Sequence, residues 1–136
     1  MNLVLFQIVV DSGLLILIWM VQLVVYPGFR YYSEPDLKRW HEIYTGRITL
    51  IVLPLMLAQL ILYAYQLYGA PGILSAGQFL LVAATWLITF LYAVPLHASI
   101  EKDTDTTLSR AKLVRINWSR TILWTIIFIL SLYTYE

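Results

Sequence analysis

From Ile48 to Ile100 the chain carries no Asp, Glu, Lys or Arg, and the titratable group of note in that stretch is His97. A water-soluble domain needs solvated charge on every face. A hydrocarbon layer of ~30 Å is instead crossed by about 20 apolar residues rising ~1.5 Å each. Two crossings fit between Ile48 and Ile100, divided by Gly69-Ala70-Pro71-Gly72, a neutral helix-breaking turn short enough for a tight antiparallel hairpin.

The charges outside this stretch are equally uneven. All nine Lys and Arg fall in two windows, Arg30 to Arg47 and Glu101 to Arg120, leaving Asp11 and Glu136 as the charged residues elsewhere. Cations collect at cytoplasmic ends of spans, so both windows are expected inside, with the 69–77 turn and the N- and C-termini outside. The fold class is all-α, an integral membrane four-helix bundle forming a single domain over 1–136, with spans at about 3–26, 48–68, 77–97 and 117–135. The first span reads as retained. It lacks a basic leader and ends in Tyr26-Pro27-Gly28-Phe29 instead of a small-residue cleavage site. Tyr63, Tyr65, Tyr68, Tyr133 and Tyr135 are expected in an outer aromatic belt, and Tyr26, Tyr31, Tyr32, Trp40, Tyr44 and Trp118 in an inner one. No cysteine is present, which excludes disulfides, thiolate ligands and covalent haem attachment.

Between spans one and two, Ser33-Glu34-Pro35-Asp36 reads as an N-cap with an acidic first turn, opening a short interfacial helix at about 34–46. Leu37, Trp40, His41, Tyr44 and Ile48 share one face of it, turning His41 toward the bundle or the headgroups. The second window holds threonines able to cap a helix beginning near Leu108. That helix runs into span four and draws Arg120 into the membrane boundary, where it must snorkel to water or pair with a carboxylate. Pro54 and Pro95 each remove a backbone donor within a span and are expected to bend it.

Two polar layers emerge. The inner one gathers the candidate catalytic residues His41, His97, Glu101, Asn117 and Arg120, with Gln22, Tyr26, Tyr44 and Arg47 at a similar depth. His97 and Glu101 are four apart, a spacing that suits paired metal ligands or a histidine–carboxylate hydrogen bond. As a metal site, His41, His97 and Glu101 would offer N and O ligands to zinc or non-haem iron. As a haem site, His41 and His97 would be axial ligands. The inner boundary is also where polar residues belong without any ligand. The deeper layer places Asp11 on one side of span one with Gln7, Ile18, Gln22 and Tyr26. An intramembrane clasp of Asp11, Gln59 and Thr85 is expected to hold the helices, proton handling being the other use of a buried acid.

Asn117-Trp118-Ser119-Arg120-Thr121, following a span that ends Pro95-Leu96-His97, resembles small bacterial four-span membrane proteins of unknown function and the anthrone-oxygenase-like family. The resemblance covers the final third and the four-span plan. It implies residence in a bacterial inner (cytoplasmic) membrane. It further implies oxidation of a lipophilic polycyclic phenol, with Asn117, Trp118 and Arg120 lining the pocket.

Two functions follow as expectations. One is a small membrane oxidoreductase or oxygenase. Its lipophilic substrate enters between helices; His41 or His97 serves as base or ligand, Glu101 orients a histidine, and Arg120 with Asn117 stabilises a phenolate or enolate. The other is a non-catalytic accessory or scaffold subunit whose polar layer sets helix register. Transport ranks third, since no inverted repeat or charged pathway is evident. Expected partners are the lipid bilayer, a lipophilic small molecule or other membrane subunits, and not nucleic acid.

Overall fold

The structure, a computed structural model, describes residues 3–134. Four helices account for nearly all of them: α1 (Leu3–Tyr31), α2 (Glu34–Gly69), α3 (Ile73–Lys102) and α4 (Thr107–Tyr133), each long and apolar enough to cross a membrane. They run up-down-up-down. Each helix packs on its sequence neighbours, and α4 closes the ring against α1. Large apolar side chains face outward on every helix, with Ile16 68%, Leu50 77%, Leu80 66% and Ile129 57% exposed. That outer surface is the reverse of a soluble bundle's polar face.

Both charged windows lie at one end of the bundle. Arg110 knots them together there, its Nη2 donating to Glu34 Oε1 at 2.8 Å, its Nη1 to the Phe29 carbonyl at 2.9 Å and its Nε to Thr106 Oγ1 at 2.6 Å. The buried Thr106 hydroxyl in turn donates to Glu34 Oε2 at 2.9 Å. The end of α1, the start of α2 and the α3–α4 turn thereby share one guanidinium. At the turn it is Asp105 Oδ1 that accepts the Thr107 N–H, and this bond holds the exposed Asp105 carboxyl below the usual carboxylate range. Thr106 occupies the N-cap position of α4 without a side-chain cap bond.

The separate interfacial helix expected at 34–46 does not exist. Ser33 caps as anticipated, accepting the Asp36 N–H, but α2 then runs unbroken for 36 residues through Gly46 and Pro54. Gly46 does not break the helix, and Leu37, His41 and Tyr44 are buried in the bundle instead of resting on a surface. At ~1.5 Å per residue α2 is about 54 Å long, well beyond a ~30 Å hydrocarbon layer. α1 and α3 overrun the expected spans, α1 continuing through Pro27 to Tyr31 and α3 beginning at Ile73, while α4 begins at Thr107, next to the start expected near Leu108. The expected end of span four at 135, and Tyr135 itself, lie outside the described residues.

Pro27 and Pro95 are accommodated alike. Each follows a π-helical turn, Val21–Val25 in α1 and Thr89–Ala93 in α3. A proline ring clashes with the carbonyl four residues back, and residues 23 and 91 lie inside these wide turns, whose longer register makes room. The aromatic belts are thinner than expected. Tyr65, Tyr68, Tyr133 and Tyr31 are exposed, whereas Tyr63, Tyr26 and Tyr44 turn inward and are buried. Two apolar clusters fill the interior, one around Leu14, Ile18, Val82, Trp124 and Ile127, the other at the connector end around Leu37, Ile100, Leu113 and Phe29.

Arg110→Ala should lower stability by about 1.5–3 kcal/mol, the range for lost hydrogen bonds to charged groups. Thermal unfolding of wild type and variant in the same detergent checks this, and an unchanged midpoint would remove the knot from the account.

Candidate functional site

Four side chains from three helices form an unbroken row at the connector end. His41 comes from α2, His97 and Glu101 from successive turns of α3, and Tyr26 from α1. His41 Nδ1 lies 3.2 Å from Glu101 Oε1, His41 Nε2 lies 2.7 Å from His97 Nδ1, and His97 Nε2 lies 2.8 Å from the Tyr26 hydroxyl. The carboxylate end sets the direction. An ionised carboxylate only accepts, so His41 donates from Nδ1 and accepts at Nε2, His97 likewise donates from Nδ1, and Tyr26 donates its O–H to His97 Nε2. Every proton in the row points toward Glu101.

The row is dry at one end and wet at the other. Tyr26 at one end is buried, as is His41, while the Glu101 side chain at the other end is 45% exposed. Phe29 stands edge-on to His41 at 5.8 Å, and Tyr44 lies 6.5 Å from both imidazoles. The π-helical turns re-phase α1 just before Tyr26 and α3 just before His97, a feature common at functional sites.

A cavity of about 330 Å³ opens beside this row. Tyr26, His97, Glu101 and Arg120 line its polar end, while Ile48, Val52, Val94 and other apolar residues of α1, α2 and α3 line the rest. Arg120 is buried and neither snorkels nor pairs with a carboxylate: its Nη1 donates to Asn117 Oδ1 at 3.2 Å and its guanidinium lies 5.1 Å above the Trp124 ring. Asn117 is withdrawn behind it and donates to Gln22 Oε1 at 2.9 Å, and Gln22 donates to the Val114 carbonyl. Trp118, a pocket residue by resemblance, does not line the cavity. It lies half-exposed on the outer surface, edge-on to Trp19 at 5.8 Å.

The deeper layer is a clasp with different members. Asp11 Oδ1 accepts from Gln59 Nε2 and Oδ2 from the Tyr63 hydroxyl, both at 2.7 Å. Trp124 Nε1 donates to Gln59 Oε1 at 3.0 Å, joining α4 across the bundle. Thr85 is buried but takes no part, because its hydroxyl donates to the Val82 carbonyl of its own helix. Toward the hairpin end, Gln7 donates to Gln66 and Gln66 to Gln78.

The metal and haem arrangements anticipated for these residues do not fit. Glu101 and His97 contact opposite nitrogens of His41, so the three cannot point at one ion, and no group of three or more His, Cys, Asp or Glu converges among the described residues. The two imidazoles bond directly with ring centroids 4.9 Å apart, which leaves no space for a macrocycle between them. What the geometry offers is proton transfer. Sequence reasoning placed both histidines and Glu101 together, with Tyr26 and Tyr44 at a similar depth though also counted in the inner belt; the signal for Tyr26 was its place on the Gln7, Asp11, Ile18, Gln22 stripe. No family model, curated protein or solved structure matches the chain.

Gln59→Ala strips partners from a buried carboxylate oxygen and from the Trp124 N–H, and should destabilise the bundle by about 1–3 kcal/mol per orphaned group. Denaturant titration against Thr85→Ala is the comparison, and Gln59→Ala no worse than Thr85→Ala would refute the clasp as described.

Proposed function

We propose that this chain is a multi-pass membrane protein whose connector end faces the cytoplasm and carries an acid–base site for a lipophilic molecule with a protonable oxygen. The observation that carries the reading is the Tyr26–His97–His41–Glu101 row, which begins on a phenol lining an apolar cavity and ends on a half-exposed carboxylate. A substrate reaches the cavity laterally from the bilayer. Its proton passes to the Tyr26 oxygen as Tyr26 gives its own to His97 Nε2, His97 Nδ1–H passes to His41, and His41 Nδ1–H to Glu101, where water takes it. Reversal of the row returns a proton to a product.

The phenol oxidation suggested by the resemblance is a narrower form of the same chemistry. These residues supply its proton half, and an electron acceptor must supply the other. The bacterial cytoplasmic membrane is the location consistent with that resemblance. The orientation rests on all nine cations falling in the two windows that meet at the connector end.

Because the chain has no cysteine, single reporters test the topology directly. Asp103→Cys should react with an impermeant maleimide only from the cytoplasmic side and Gly72→Cys only from the opposite side; the reverse pattern, or labelling of both from one side, contradicts the orientation.

The relay is tested with a long-chain alkyl nitrophenol, whose absorbance reports ionisation, added to protein in neutral-lipid nanodiscs. Wild type should ionise the bound phenol rapidly, and His97→Gln should slow that ionisation, followed by stopped flow, by about 10²-fold or more, the usual contribution of one positioned acid–base group. Equal ionisation rates in wild type, His97→Gln and Tyr26→Phe would refute the row as a proton path.

A further inference from the structure

Arg120 is the one Lys or Arg that is buried among the described residues, and it is 94% withdrawn from solvent by a relative exposure of 6%. No carboxylate lies within ion-pair distance of it; the ion pairs among the described residues are His41–Glu101 and Arg110–Glu34. Its neighbours are neutral: Asn117 accepts from Nη1, the Trp124 ring lies beneath, and the Tyr26 hydroxyl and His97 stand beside it. Its Nε–H is buried and has no acceptor at all. A guanidinium held in an apolar bundle without a counter-charge is costly, and an unpaired buried donor adds to the cost. Arg120 also lines the polar end of the cavity.

We infer that the cavity binds a lipophilic oxyanion, an apolar body bearing one oxygen-centred negative charge, with that oxygen on the Arg120 guanidinium at the cavity wall. This deepens the acid–base reading above, because it supplies the ligand class for the same cavity, but it requires only the cation and the cavity, not the proton row. The body of the ligand lies along Ile48, Val52, Thr89 and Ala93, all of which line the cavity. About 330 Å³ stands at the small end of ligand sites. It holds a headgroup with one ring or a short length of chain, and any longer tail runs between α2 and α3 toward the bilayer. Two sources share this chemistry, a fatty carboxylate and an acidic phenolate.

Isothermal titration in neutral-lipid nanodiscs compares dodecanoate, an ionised alkyl nitrophenolate and the uncharged control dodecanol. At least one anion should bind wild type about tenfold or more tighter than dodecanol, and Arg120→Gln should remove that margin, as expected for a charge-assisted bond in a dry site. Preference for dodecanoate assigns the carboxylate source, preference for the nitrophenolate assigns the phenolate source, and binding of both supports the shared class. Should Arg120→Gln fail to fold, Thr49→Trp fills the cavity from an exposed wall position and should abolish anion binding by itself. Dodecanol binding as tightly as both anions, or anion binding unaffected by Arg120→Gln or by Thr49→Trp, overturns the inference. The two proposals fail separately: Arg120-dependent anion binding in a protein whose phenol ionisation ignores His97 would sink the proton row and leave this one standing.

Discussion

A polar side chain enclosed by apolar helices has no water to turn to, so each one inside this bundle must find its partner on another helix or on its own backbone. That requirement sets the relative positions of the helices more narrowly than apolar packing does. Leucine and valine surfaces can slide against one another at small cost, whereas Asp11 between Gln59 and Tyr63, or Asn117 against Gln22, fits one register. Trp124 N–H on Gln59 and Gln22 on the Val114 carbonyl bring α4 under the same constraint.

The connector-end site depends on that fixed register. His41, His97 and Tyr26 come from three helices, and a one-residue slip of any of them would break a bond in the row. The Arg110 knot holds the same three segments a few turns away, and the two π-helical turns adjust α1 and α3 locally where proline forbids the regular spacing. Rigidity at the site is therefore supplied from both sides, by a polar clasp deeper in the bundle and by a charged knot beyond the connectors.

Within this frame Arg120 is the member whose requirements the protein alone does not meet. The relay carries its protons to Glu101, and Gln22 and Asn117 satisfy each other. Arg120 has an amide, an aromatic face and an idle N–H. A cation in that position beside an apolar cavity gives the site a selectivity for charge that the histidine row by itself would lack.

The sequence alone determined four long apolar helices and the gathering of both histidines, Glu101 and Arg120 at one end, because stretch length, charge placement and helical spacing are written along the chain. It also marked the inward stripe of α1 from Gln7 to Tyr26. It did not separate a metal set from a proton row, since spacing shows which residues share a face and not which nitrogen meets which atom. The break expected after 46 and the role expected of Thr85 failed for a related reason: whether a helix continues, and whether a hydroxyl reaches across or turns back to its own carbonyl, depends on what the neighbouring helix presents. Those choices were made only in the tertiary structure, where burial forced each polar group to a specific partner.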